Sequence, residues 1–395
     1  MSRLSNAVLQ RVRELENRTS RRDGRRRVLV DARTPVNYVV IAPVVKAMSA
    51  DPRVEFVFTA SEEPRRAREI YSEAPGVQIV HPLRAAGMKF DAYVASDFMW
   101  ARLLRGTCRI QVFHGVAGKY GFDAPTTSMR QWHRLFFINR RRLRNYIEAG
   151  AIDADSPAIR LVGYPKVDCI VDGSLQRDVI LADLGLDPTR PTILYAPTRS
   201  AESSLNKMGE EVIARLLTLG TNLIVKLHDR SRDLRESYSG GVDWVSRLQP
   251  LLPEGRALIA PHSDISPYLV AADVMVTDHS SAGFEFLLRD RPIVRIHCPE
   301  LLRTANVHPA YAHLLASVSQ TVETPAAVLD AVDRGLQRPF ERADDRRRVA
   351  EDLFHLPGSA TARAAAALYE ILDLDQHHAT PATQHVQEET CQRSA

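Results

Sequence analysis

The sequence predicts an α/β fold of two doubly wound, parallel-sheet domains facing each other across a cleft, and three observations carry that prediction. From Arg27 to Cys298, short runs rich in Val, Ile and Phe alternate with amphipathic stretches of helix length. Continuous apolar strands separated by helices indicate parallel sheet covered on both faces. The series breaks at a stretch punctuated by Gly and Pro, GLDPTRP at 185–191, and then restarts. Finally, 395 residues exceed one ordinary core and suit two or three domains of roughly 150 residues each.

The first strand reads as VLVDA at 28–32 and the second as VEFVFTA at 54–60. VQIV at 77–80, DAYVAS at 91–96, IQVFHG at 110–115, LFFIN at 135–139 and IRLVGYP at 159–165 complete the first series. A helix is expected around 174–185. After the break come TILYAPT at 192–198, NLIVKLHD at 222–229, ALIAP at 257–261, VMVTD at 274–278 and PIVRIHC at 292–298. The expected organisation is a basic N-terminal arm over 1–26 and a first Rossmann-like domain over 27–173. A second Rossmann-like domain with closing helices covers 174–373, and a tail over 374–395 lacks any apolar period.

Composition narrows the class. At 45% hydrophobic and 25% charged, the chain can bury a core without staples. A net charge of +4 is too mild for a dedicated nucleic-acid binder. Cys108, Cys169, Cys298 and Cys391 are scattered, which disfavours a zinc site or disulfide framework and fits a reducing cytoplasm. The most apolar window, Val39 to Val45, is interrupted by Pro43 and far shorter than the ~20 residues of a membrane span. The amino-terminal stretch lacks the apolar run and cleavage site of a signal peptide, so a cytoplasmic location is expected.

The informative residues follow the strands. His114 closes IQVFHG and precedes Gly115, Gly118 and Lys119. A histidine there suits a general base, and glycines allow close backbone approach to a ligand; a histidine capping a strand explains it equally. Lys226 and His228 are two apart in NLIVKLHD, on one face if the strand continues. A cation beside an imidazole suits a diphosphate better than a metal. Thr277 and Asp278 end another strand, and Ser280 and Ser281 stand where a helix should begin. Capped amides and the helix dipole there would favour phosphate, and a plain helix cap is the competing explanation. Glu285, one turn in, is placed to accept ribose hydroxyls; an ordinary first-turn carboxylate favoured by the helix dipole explains it as well. GYPKVD at 163–168 reads as an interdomain turn, and Thr198, Arg199 and Ser200 offer donors after the second domain's first strand.

In this order the pieces resemble the CDP-glycerol glycerophosphotransferase family of teichoic-acid and capsule synthesis. The matching elements are His114-Gly115 with Lys119, Gly163 to Asp168, Ile193 to Arg199, Lys226-Leu227-His228, Thr277 to Ser281, Phe284-Glu285 and Arg291-Pro292, over roughly 90–300. The resemblance implies a GT-B-like arrangement, with the acceptor on the domain over 27–173 and the nucleotide on the domain over 174–373, and transfer of a polyol phosphate from a CDP-linked donor to a hydroxyl acceptor. It implies His114 as base, with His228, Lys226, Arg199, Thr277, Asp278, Ser280 and Ser281 around the diphosphate. Glu285 would meet the ribose, and Gly115, Lys119, Pro165 and Lys166 would form the acceptor side. The chain departs from the family pattern at Ala117-Gly118, Asp229 and His279.

A nucleotide-sugar glycosyltransferase, an enzyme resembling UDP-N-acetylglucosamine 2-epimerase, and a non-catalytic nucleotide-sugar sensor remain as alternatives on the same fold. Expected partners are a nucleotide-diphosphate donor and a polyol or glycan acceptor, lipid-linked in one version, with no nucleic acid. RRDGRRR at 21–27 and NRRRLR at 139–144 suit the anionic inner face of a cell membrane; solvated helix faces explain them as well. No carboxylate pair at a strand end calls for a metal, so no cofactor is expected, with Mg²⁺ assistance through the diphosphate left open.

Overall fold

The structure, a computed structural model, describes residues 24–74, 76–96, 98–118, 129 and 131–376. Three predicted features lie outside these residues: the basic arm up to position 23, Lys119, and the tail from position 377.

The first sheet comprises β1 (Arg26–Asp31), β2 (Val54–Thr59), β3 (Gln78–Ile79), β4 (Ala92–Ser96), β5 (Cys108–Val112), β6 (Arg134–Phe137) and β7 (Ile159–Leu161). All run parallel, in the order β3-β2-β1-β4-β5-β6-β7. The second comprises β8 (Thr192–Ala196), β9 (Asn222–Val225), β10 (Ala257–Ile259), β11 (Val274–Thr277), β12 (Ile293–Ile296) and β13 (Gln320–Val322). It too is parallel, ordered β10-β9-β8-β11-β12-β13. Every predicted strand forms, and β13 is an addition. Central strands are apolar along their length because helices cover both faces: Val28, Leu29 and Val30 are buried, as are Ile193, Leu194 and Tyr195.

The helices that matter for the site are α1 (Pro35–Met48), α2 (Arg140–Glu148), α3 (Ser204–Leu216), α4 (Ala282–Phe286) and α5 (Pro309–Ser317). The closing ones are α6 (Pro325–Gln337), α7 (Ala343–Leu353) and α8 (Ala360–Ile371). Although α8 lies within the span assigned by sequence to the second domain, it packs against α1 of the first.

The GYPKVD turn is where the chain's two crossings between domains meet. Asp168 Oδ1 accepts from the Gly358 and Ala360 amides at 2.7 and 3.1 Å, and its Oδ2 from the Thr361 amide at 2.6 Å. One carboxylate thus satisfies amides that the start of α8 leaves without helical partners. Arg363 returns the contact, donating from Nε to Val162 O at 2.8 Å and from Nη2 to His355 O at 3.0 Å. Gly163 has φ +89°, and a Cβ there would stand 2.6 Å from His355 O. Only glycine tolerates both the backbone angle and the approach.

Among the described residues no helix is long and apolar enough to cross a membrane.

Candidate active site

In each sheet the strand order reverses beside its first strand, β1 next to β4 and β8 next to β11. A crevice opens at the carboxyl ends of such a switch point. Here the two crevices face each other and enclose one cavity of about 480 Å³. Arg33 and Thr34 reach it from the end of β1, Phe98 from the segment after β4, and His114 and Gly115 from the segment after β5. The second domain contributes Thr198 and Arg199 after β8, His228 and Arg230 after β9, and Ser280 and Ser281 after β11.

His114 sits on a turn fixed from below. Gly115 has φ +75°, and Asn139, the N-cap of α2, donates from Nδ2 to Val116 O and to Leu353 O, both at 2.8 Å. The Asn139 Oδ1 accepts from the Arg142 amide at 2.7 Å. Phe113, beside His114, packs on Phe98, Phe137 and Tyr146 at ring distances of 5.9, 4.8 and 5.3 Å.

His228 Nδ1 accepts from the Arg230 amide at 3.1 Å. The neutral ring therefore carries its proton on Nε2. Lys226 does not share its face. β9 ends at Val225, so strand alternation stops before both residues. Lys226 is buried, donates to Leu227 O at 2.8 Å, and does not line the cavity. Burial lowers its pKa below the ordinary lysine value.

Thr277 and Asp278 support the cleft from behind. Thr277 Oγ1 donates to Ala196 O at 2.7 Å. The fully buried Asp278 accepts from the Thr198 amide at 2.8 Å and from the Ser204 amide and hydroxyl at 3.1 and 3.0 Å. Its charge holds the turn between β8 and α3, which leaves none of it facing a ligand. Thr198 Oγ1, in contrast, is buried at the cavity wall without a hydrogen-bond partner among the described residues. The helix predicted after Ser281 is the single five-residue turn of α4, and Ser281 makes no side-chain cap. Its hydroxyl is thus not tied to the helix end.

Glu285 is placed differently from expectation. Its Oε2 accepts from Lys166 Nζ at 2.6 Å, both groups buried, and neither residue lines the cavity. Burial disfavours the ammonium, but Glu285, Tyr164 and Asp264 outweigh that and hold Lys166 above its ordinary pKa. Pro165 opens the same buried turn.

The cavity is cationic. Arg33, Arg142, Arg199 and Arg230 line it together with both histidines, and among the described residues no carboxylate does. Burial and then the repulsion of Arg199 pull Arg230 below its ordinary pKa, with Arg33 adding to the effect. Arg199 and Arg230 both lie over the Tyr238 ring, at 5.2 and 5.1 Å. Sequence reasoning missed Arg33, Arg142 and Arg230. Arg142 was hidden in NRRRLR, read as a surface cluster; in fact Arg141 pairs with Asp352 at 2.6 Å while Arg142 is buried at the cleft. Among the described residues, no group of three or more His, Cys, Asp or Glu is placed to hold a metal ion.

A cationic cleft between the carboxyl ends of two doubly wound sheets defines an enzyme that handles nucleotide diphosphates. The chain belongs to the CDP-Glycerol:Poly(glycerophosphate) glycerophosphotransferase family, which it matches over residues 45–365. It is accordingly a CDP-glycerol glycerophosphotransferase-like transferase. The fold is similar to that of the wall teichoic acid polymerase TagF, at 17% identity and a TM-score of 0.67, covering 94% of this chain and 96% of that one. It is also similar to a putative UDP-N-acetylglucosamine 2-epimerase from Listeria monocytogenes, at 15% identity and a TM-score of 0.57, covering 88% and 96%. A UDP complex of MnaA from S. aureus matches at 14% identity and a TM-score of 0.55, covering 89% and 98%. No curated protein matches the sequence significantly.

Proposed function

We propose that the cleft binds CDP-glycerol with its diphosphate against Thr198, Arg199, Arg230, Ser280 and Ser281, and that His114 accepts the proton of the acceptor hydroxyl. The observation that carries this reading is the convergence of His114 and His228, from opposite domains, on one cavity lined by arginine. The acceptor oxygen forms a bond to the phosphorus that bears glycerol. The bridging P–O bond breaks, CMP leaves with the electron pair, and His114 takes the acceptor proton. His228, with its proton on Nε2, donates toward the departing phosphate. Arg199 and Arg230 offset charge on the transferring group, and this positioning and electrostatic stabilisation supply most of the rate enhancement. Attachment of the basic N-terminal arm to an anionic membrane face belongs to the same proposal, since it would bring the cleft to a lipid-linked acceptor.

The test is nucleotide release, CMP from CDP-glycerol or CDP-ribitol and UDP from UDP-sugars, with a glycerol phosphate oligomer as acceptor. CDP-specific turnover that His114→Ala abolishes supports the reading. UDP release, or interconversion of a UDP-sugar without acceptor, overturns it.

A further inference from the structure

Among the described residues, Arg142 is a buried cation without a counterion. Its residue is 6% exposed, and its guanidinium lies over the Phe113 ring at 5.4 Å. Its Nε is buried without a hydrogen-bond partner, and among the described residues no ion pair includes it. Its neighbour Arg141 takes Asp352, and Glu148, six residues along α2, lies about 9 Å further up the axis on another face. A buried charge is retained against desolvation only where something pairs with it.

The position of Arg142 shows where the pairing group would sit. A second cavity, of about 510 Å³, adjoins the first. Val116, Ala117, Gly118, Arg142 and Tyr311 line both. The second runs between α2 of the first domain and α5 of the second, with Arg141, Asn145 and His308 on its wall and Glu148 exposed at its edge. Arg142 therefore stands at the junction of the two cavities, whereas Ser280 and Ser281 line the first alone.

We propose that this junction is a subsite for a phosphodiester of the acceptor. A glycerol phosphate chain lies in the second cavity, Arg142 grips its terminal phosphodiester, and the terminal hydroxyl is delivered past the 115–118 turn to His114. This rests on the transferase reading above and adds to it the residue, Arg142, and the second cavity that recognise the acceptor's phosphodiester. A guanidinium suits the task because its planar fork can donate two parallel hydrogen bonds to phosphate oxygens.

The experiment compares wild type, Arg142→Met and Arg142→Lys. It measures KM for CDP-glycerol, KM for a glycerol phosphate trimer and for a neutral glycerol-capped alkyl glycoside, and direct calorimetric binding of the trimer without donor. Loss of a charge-assisted hydrogen bond predicts that Arg142→Met weakens trimer binding and raises trimer KM about tenfold or more. The KM for CDP-glycerol and the KM for the neutral acceptor should stay within about twofold, and Arg142→Lys should recover part of the loss. A rise in donor KM with trimer binding unchanged would overturn the proposal, because Arg142 would then serve the diphosphate. Equal use of both acceptors by wild type would overturn it as well. If CDP-glycerol is not turned over at all, the transferase reading fails while trimer binding still decides the subsite. Should Arg142→Met not fold, Arg142→Lys and the salt dependence of wild-type trimer binding decide: binding that ignores salt sinks the idea.

Discussion

Lys166 Nζ and Glu285 Oε2 lie 2.6 Å apart in a buried ion pair that joins the interdomain turn to α4 of the second domain. Removing one partner leaves the other charged and buried, at a cost of about 3–5 kcal/mol, whereas removing both leaves a far smaller deficit. Glu285→Gln and Lys166→Met should each lower stability strongly in urea unfolding, and the double variant should recover at least half of the larger loss. A double-mutant cycle with no coupling would refute the pairing. If instead Glu285→Gln unfolds normally but weakens CDP-glycerol binding, the carboxylate serves the ribose, as the sequence first suggested.

Asp278 holds the turn that carries Thr198 and Arg199, and on the proposed reading it affects the donor only through that turn. In Asp278→Asn, an amide replaces an oxygen that accepts from Thr198 or Ser204, so a buried donor faces a donor. The expected loss is about 1–3 kcal/mol of stability, together with a raised KM for CDP-glycerol as Thr198 and Arg199 lose their fixed places. Melting curves and donor titration check this, and an unchanged donor KM would show that the turn does not need the carboxylate.

Asp51 reports on the docking of α8. Arg53 donates to it from Nε and Nη2, its own amide adds a bond at 2.9 Å, and Tyr369 of α8 donates at 3.2 Å. The Arg53 guanidinium holds the Asp51 carboxyl down at about 2, below its ordinary 3.8. The unfolded chain thus binds this proton more readily. The stabilisation is complete above the ordinary value and is lost as pH falls through 3.8 toward 2. Discounted for solvent screening it amounts to about 1 kcal/mol. Wild type should lose more stability than Asp51→Asn between about pH 5 and pH 3, measured by urea unfolding. Parallel pH profiles would remove Asp51 from the account.

How far the fold and site were legible follows from where each signal resides. Parallel strands buried on both faces announce themselves as apolar runs, and all of those were readable. β13 was not, because Gln320, Thr321 and Val322 form a short strand with two polar members at the sheet's edge. The histidines and serines of the cleft were readable because they follow strands. Lys226 was misplaced because a sequence does not show that β9 stops at Val225. Glu285 looked like a free first-turn carboxylate, since its partner lies 119 residues away. Arg142 was invisible among the four charged or polar neighbours of its cluster, Asn139, Arg140, Arg141 and Arg144, where only the fold shows which arginine turns inward. The Ala-rich pattern of α8 announced a helix without saying which sheet it would cover.

The two passages of chain between the domains run side by side, with Asp168 and Arg363 stitched across them. Two adjacent strips riveted along their length behave as the spine of a book: they let the covers swing but resist sliding and twisting. Any closing of the cleft would have to hinge about this spine. The same spine makes the halves inseparable as consecutive pieces. A chain cut after the second sheet would leave the first domain without α8, and an exchange of domains with a relative would have to carry both passages together.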